Sequence, residues 1–319
     1  MTFSLANLEA AAATVHRSLP PTPQYCWPLL GERLGAEVWL KHENHCLSGA
    51  FKIRGGLTYF AALCERAPEV REVVCATRGN HGQSVAFAAA RNGLRARIVV
   101  PRGNSREKNA AMRALGAELI EHGDDFQAAR EHAAEIAGRD GAHLVPSFHP
   151  DLVRGVASYC LELLRAAPGL EVVYVPIGLG SGICAMIAAR DALGLDTRVV
   201  GVVSAHAPAY QLSFAAGHAI AHPVSTRIAD GMACSTPDPH ALEMILAGAE
   251  RIVSVTDDEV EAAMRVLFET THNLAEGAGA ASLAAALQEH GQLRGRKVGV
   301  VLTGGNVDRP VFAEVIAKV

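Results

Sequence analysis

REVVCATRGNHGQSVAFAAARNGLRARIVVP, residues Arg71 to Pro101, is the stretch that decides the fold class. It opens on a short apolar run, REVVCAT, turns through RGN into the Ala-rich HGQSVAFAAARNG, and closes on a second apolar run, RARIVVP. Strand-length runs separated by a helix-length pattern read as a βαβ unit. The alternation continues with SREKNAAMRALG, AELIEHG and DDFQAAREHAAEIAG, and Gly93, Gly116 and Gly138 are expected to close helices. It resumes after Pro150 with a helix near Leu152 to Ala166, then EVVYVPIG, GICAMIAARDALG and RVVGVV. RIVSV, a helix from Thr256, helical density around Ala280, and KVGVVLTGG complete it. Apolar strands such as VVYV and VGVVL predict open α/β sheets covered by helices on both faces. HLVPSFHP, His143 to Pro150, is the expected boundary between two α/β halves.

The composition fits a folded chain with a small-molecule partner. Of 319 residues 50% are hydrophobic and 19% charged, enough for one large or two medium domains. A net charge of −4 without any Lys/Arg block gives no footprint for nucleic acid and no attraction to an anionic membrane. The longest stretches free of Asp, Glu, Lys and Arg, Val172 to Ala189 and Val199 to Thr226, are interrupted by proline with glycine or histidine, so neither reads as a membrane span. MTFSLANLEA lacks a basic leader before an apolar core, so no secretory signal is expected. Seven cysteines without a CxxC or Cys/His cluster argue against a disulfide framework or a zinc site, and the cytoplasm is the expected compartment.

Ligands of open α/β sheets bind at the carboxyl ends of strands, which directs attention to three polar turns. These are ATRGNHGQ at 76–83, IGLGSGI at 177–183 and LTGGN at 302–306. GLGSG opens a helix, so its glycines and Ser181 could cradle a phosphate with the first-turn amides; the same glycines could serve packing alone. It is neither a Walker loop, lacking GKS or GKT, nor a dinucleotide fingerprint, lacking the third glycine in place and an acid after RVVGVV. In SGAFKIRGG, Ser48 to Gly56, Lys52 is boxed in by Ala50, Phe51 and Ile53. Desolvation lowers a lysine pKa and yields a nucleophilic amine, although a lysine snorkelling from the start of an amphipathic helix would give the same pattern. Together, a boxed lysine, a phosphate cradle and two further polar turns describe a pyridoxal phosphate site.

The ordered succession PTP (21–23), KHEN…SGAFKIRGG, RGNHGQ, GLGSG, ADGMA (229–233), EGAGAAS and TGGN resembles the fold-type-II, tryptophan-synthase-β-like pyridoxal phosphate enzymes. Within them it is most similar to the serine/threonine dehydratases and serine racemases, from about Pro21 to Asn306. The resemblance implies two open, mainly parallel three-layer α/β domains with the cofactor in the cleft between them: a large one of residues 1–70 and 148–319 and a small mobile one of residues 71–147. It implies that Lys52 bonds the cofactor covalently and serves as base, that Phe51 packs on the ring, and that Asn80 meets the phenolic oxygen. Gly178, Gly180, Ser181 and Gly182 would hold the phosphate, and Thr303 would face the pyridine nitrogen. Ser48, Gly49, Asn80 and His81 would receive the substrate carboxylate, with His81 alternatively only bracing its turn. Glu276 matches an acidic position near the cofactor, where it could equally complement a helix dipole.

The implied activity is β-elimination of water from an L-3-hydroxy-amino acid such as threonine or serine, giving a 2-oxo acid and ammonia. The implied assembly is a homodimer. A bulkier or acidic substrate, serine racemisation, β-replacement, and a silent amino-acid or cofactor-binding protein are the alternatives. Four departures bear on these. Arg78 stands where the racemases carry a serine base, and a guanidinium stays protonated; it is expected to orient a carboxylate or brace the turn. RGVAS, Arg154 to Ser158, replaces the AGQGT of relatives. Val203 and Ala209 stand where relatives hold a divalent cation with acids, so no metal is expected. The chain ends shortly after TGGN, so an appended regulatory domain is not expected.

Overall fold

The computed structural model describes residues Phe3–Lys318. Among the described residues ten strands form two sheets: β1 (Gln24–Cys26), β2 (Glu37–His42), β3 (Glu72–Ala76), β4 (Arg95–Val100), β5 (Glu118–Glu121), β6 (His143–Leu144), β7 (Val172–Pro176), β8 (Arg198–Ser204), β9 (Arg251–Val255) and β10 (Lys297–Leu302). The larger sheet runs β1-β2-β10-β7-β8-β9, parallel except where β1 pairs antiparallel with β2 at the edge. The smaller runs β5-β4-β3-β6 and is wholly parallel. The βαβ reading of Arg71–Pro101 is realised as β3, the helix Asn80–Arg91 and β4.

Side-chain alternation along the strands builds a core on each face. In β7, Val173 and Val175 join the cluster under the helices Pro150–Ala166 and Ser181–Ala192. Val172 and Tyr174 join the opposite one, under Asp257–Thr271 and Gly277–Gln288. The smaller sheet repeats the scheme: Val73 and Cys75 face one cluster while Val74 and Ala76 face another with Ala129, Ala133 and Ile136. Both sheets are therefore three-layered. The helix Lys52–Arg66 lies on the seam, sending Tyr59, Phe60 and Leu63 into the core of the smaller sheet while its first residue enters the site described below.

One predicted helix end moves. Gly138 lies inside the helix Phe126–Asp140, and Gly141, with φ of 69°, closes it. A left-handed residue is what terminates a helix at low cost, and the backbone reaches that conformation three residues later. Asp257–Thr271 begins as expected, with Thr256 and Glu259 forming a capping box.

Candidate active site

Three strand ends and one helix start meet in the cleft between the sheets. After β10, the Thr303 carbonyl accepts from the Phe51 amide at 3.0 Å, Gly304 forms an isolated bridge with Ala50, and the Gly305 amide donates to the Gly49 carbonyl at 2.9 Å. These bonds bring SGAFK and TGGN, some 250 residues apart in sequence, side by side. Lys52 then starts its helix half-buried, with Nζ 5.0 Å from the centre of the Phe51 ring. Burial lowers its amine to about 8, with Glu276 pulling the other way.

The GLGSG turn follows β7 and opens the helix Ser181–Ala192. A β-carbon on Gly178 would collide with the Gly231 carbonyl of the ADGMA turn, and Gly180, with φ of 101°, would place one 2.7 Å from Ala241 Cβ. Both glycines are demanded by packing, and no side-chain hydrogen bond caps the helix that follows. Phe51 links cradle to lysine: its Cζ would lie 3.7 Å from a β-carbon on Gly182, and its ring meets Tyr159 edge-on at 5.9 Å.

After β3, the Thr77 hydroxyl accepts from the Gly79 and Gly82 amides at 3.0 and 3.3 Å and shapes the start of the Asn80–Arg91 helix. Asn80 Nδ2 donates to Glu276 Oε1 at 2.5 Å, and its Oδ1 accepts from Asn306 Nδ2 at 2.8 Å. Asn306 also donates to the Ser48 carbonyl at 2.7 Å. His81 Nε2 is buried without a partner among the described residues, and burial, reinforced by the Lys52 charge, lowers the imidazole to about 3, so it is neutral in ordinary buffers. The Thr303 hydroxyl is buried and donates to the Ala278 carbonyl at 3.3 Å. Glu276 is buried and its carboxyl is raised by desolvation.

Lys52, Phe51, Asn80, His81, Ser48, Thr303 and the glycine turn thus surround one cleft. Two of the expected residues differ in detail. The Gly49 amide donates to the Cys46 carbonyl at 2.7 Å and is engaged within its own turn. Arg78 lies on the rim, nearly half exposed, with Nη1 4.0 Å from Asp230 Oδ1. Lys108, Asp230 and Asn306 also reach the cleft and carried no role in the sequence reading. Asp230 and Asn306 lie inside quoted motifs, whereas Lys108 sits in an ordinary amphipathic helix, Arg106–Ala114, and nothing local marks it.

The donor set fits pyridoxal phosphate: an amine of lowered pKa with no hydrogen-bonded acceptor, a glycine turn at a helix start, and an orphaned buried imidazole nitrogen. Residues 16–304 match the family described as pyridoxal-phosphate dependent enzyme. The chain belongs to this family. It is 34% identical to the L-threonine ammonia-lyase of Thermotoga maritima over 317 residues, 99% of this chain and 79% of that one. It is 31% identical to the catabolic L-threonine dehydratase TdcB of Escherichia coli over 94% of this chain and 91% of that one. Among solved structures, maize serine racemase superposes with a TM-score of 0.92 at 26% identity, covering 98% of this chain and 97% of that one. The protein is a pyridoxal phosphate-dependent α/β enzyme of fold type II.

Val203 and Ala209 are buried in or beside the apolar core. Among the described residues no group of three or more His, Cys, Asp or Glu side chains gathers as a cation site requires, and no helix is long and apolar enough to cross a membrane. Treatment of the enzyme with EDTA is expected to leave its steady-state rate unchanged. A large loss restored by magnesium or calcium would overturn that expectation.

Proposed function

We propose that this enzyme is an ammonia-lyase that removes water from an L-3-hydroxy-amino acid of the threonine and serine class, releasing a 2-oxo acid and ammonia. The observation that carries this is the Lys52 amine, lowered to about 8 in a cleft whose relatives over nearly the whole chain are a threonine ammonia-lyase and a threonine dehydratase. Pyridoxal phosphate, when bound, supplies an electron-withdrawing conjugated ring that acidifies the α-carbon of an amino acid joined to it. Lys52 holds the cofactor and is the base: Nζ, partly neutral near pH 8, takes the α-proton. The Gly178–Gly182 turn and the N-terminus of its helix would hold the phosphate. Phe51 would pack on the ring, and Asn80 and Thr303 would stand by its phenolic oxygen and its nitrogen.

The amides of Ser48, Asn80 and His81 orient the carboxylate, the last two lying in the first helical turn, where backbone donors lack intrahelical acceptors. Neutral His81 can bond there without adding charge. The α-C–H and β-C–O bonds break, the hydroxyl takes a proton and leaves as water, and hydrolysis of the enamine returns a water and frees ammonia. The unit around β3 to β6 is read as the small mobile domain, residues 71–147. The protein is read as a homodimer in the cytoplasm; seven free thiols suit a reducing compartment. Ammonia and 2-oxo acid release from a panel of 3-hydroxy-amino acids tests the activity, and absence of both with every member would refute it.

Arg78 separates elimination from racemisation. Inversion at the α-carbon needs an acid or base on each face, and a guanidinium with a pKa above about 12 cannot supply one opposite Lys52. L-Serine is therefore expected to yield pyruvate with no comparable formation of D-serine. Chiral separation of the reaction mixture checks this, and D-serine appearing as fast as pyruvate would favour the racemase reading.

A further inference from the structure

Lys108 reaches from the helix Arg106–Ala114 into the cleft with a side chain only 11% exposed, yet Nζ stands 3.8 Å from Asp230 Oδ2 and 3.8 Å from Glu276 Oε2. Both separations are too long for a hydrogen bond. The stem runs against Gly79, where an added β-carbon would lie 2.6 Å from Lys108 Cδ. On its other side, Glu276 Oε1 accepts from Asn80 Nδ2 at 2.5 Å, and the Asn80 oxygen is claimed by Asn306 at 2.8 Å. An ionised carboxylate can only accept and so holds the nitrogen end of the amide; a protonated one can donate and would tolerate the oxygen end. The protonation state of Glu276 therefore bears on which way the Asn80 amide turns.

We propose that Lys108 is a positioning residue that keeps Glu276 ionised across the cleft and thereby, together with Asn306, fixes the orientation of the Asn80 amide. Arg227 and Asp308 also line the cavity beside Glu276, and the groups that act most strongly on the carboxyl come from four elements. Lys52 faces it from the helix Lys52–Arg66, Asn80 from Asn80–Arg91, Lys108 from Arg106–Ala114, and Asp230 from the turn Asp230–Met232. Its own helix, Gly277–Gln288, brings no charged side chain but a positive dipole end, and Gly304 meets it with backbone alone. Burial and Asp230 push the carboxyl up, while Lys108, the Asn80 bond and Lys52 pull it down. Lys108 is the free ammonium among these, because Lys52 is committed to the cofactor. Lys108 comes from the small-sheet side and Glu276 from the large-sheet side, so the balance depends on the two being brought together.

The inference rests on the ammonia-lyase reading only for its rate assay. The test uses holoenzyme carrying Lys108→Met, Lys108→Arg, Glu276→Gln, or Lys108→Met with Glu276→Gln, and reads the pH dependence of the bound cofactor's visible absorbance without substrate, then of kcat/KM. In Lys108→Met the acid-side transition is expected to move up by about one pH unit or more, because an opposite charge within reach has been removed. Lys108→Arg should restore it, and Lys108→Met should add no shift once Glu276 is glutamine. A transition at the wild-type position in Lys108→Met would overturn the inference. So would failure of arginine to restore it, or the same shift on the Glu276→Gln background. Lys108→Gln carries the same expectations should the methionine variant fail to fold. If no 3-hydroxy-amino acid is turned over, the function reading fails while the absorbance arm still decides the role of Lys108.

Discussion

Replacing Lys52 by alanine is expected to lower turnover by at least about three orders of magnitude, because in the proposed mechanism one side chain both holds the cofactor and moves the α-proton. The fold should survive. Lys52 donates no hydrogen bond and its amine is destabilised by burial, so removing it relieves a desolvation cost. Thermal unfolding of the cofactor-free variant is expected to match that of cofactor-free wild type within about a degree or two, as for changes that break no packed contact. The variant should also lose the yellow, borohydride-sensitive absorbance of a lysine-bound cofactor, while the glycine turn still takes up free cofactor weakly. Near-normal ammonia release from its best substrate would show that Lys52 is not the base.

Arg54, two residues further along the same helix, should give the opposite result: a large loss of stability. It is fully buried, donating to Glu43 at 2.7 and 3.0 Å, to Glu162 at 2.7 and 3.1 Å, and to Ser158 at 2.9 Å. Lys41, also fully buried, completes the group at 2.5 Å from Glu162. The cluster joins β2, the start of the Lys52 helix and the helix Pro150–Ala166, so it fixes where that helix begins. Arg54→Met strands buried carboxylates and is expected to cost about 3–5 kcal/mol, read as a lowered denaturation midpoint. Burial pushes Glu162 up, but Arg54 and Lys41 outweigh it and hold its carboxyl below the usual range. The stability this contributes is present above the unfolded-state value and is lost as pH falls through the folded one. The gap between variant and wild type should therefore narrow on acidification. A variant with an unchanged midpoint at neutral pH would show that the cluster is dispensable.

Arg54 also marks the limit of the sequence reading. In SGAFKIRGG it looks like a second basic residue of an amphipathic helix start, and nothing nearby announces two acids, Glu43 and Glu162, waiting to receive it. The partial burial of Lys52 was legible because its neighbours Ala50, Phe51 and Ile53 are themselves apolar, so desolvation is encoded in adjacent residues. The βαβ alternation was legible for the same reason, since strand and helix periods are local properties of side-chain order. Helix ends were less so: Gly138 and Gly141 are both glycines, and only the backbone path selects the second.

The sequence by itself determined the parallel α/β class and, through the ordered motifs, the cofactor, and it pointed to the lysine and the glycine turn as candidates. The tertiary structure alone decided which charges share the cleft. It engaged the Gly49 amide with Cys46, moved Arg78 to the rim beside Asp230, and brought Lys108 to 3.8 Å from Glu276, 168 positions away in the chain. Periodicity and turn chemistry act between near neighbours and can be read in order. Desolvation and Coulomb interaction act through space, so the partner of a buried charge is fixed only when the chain has folded around it.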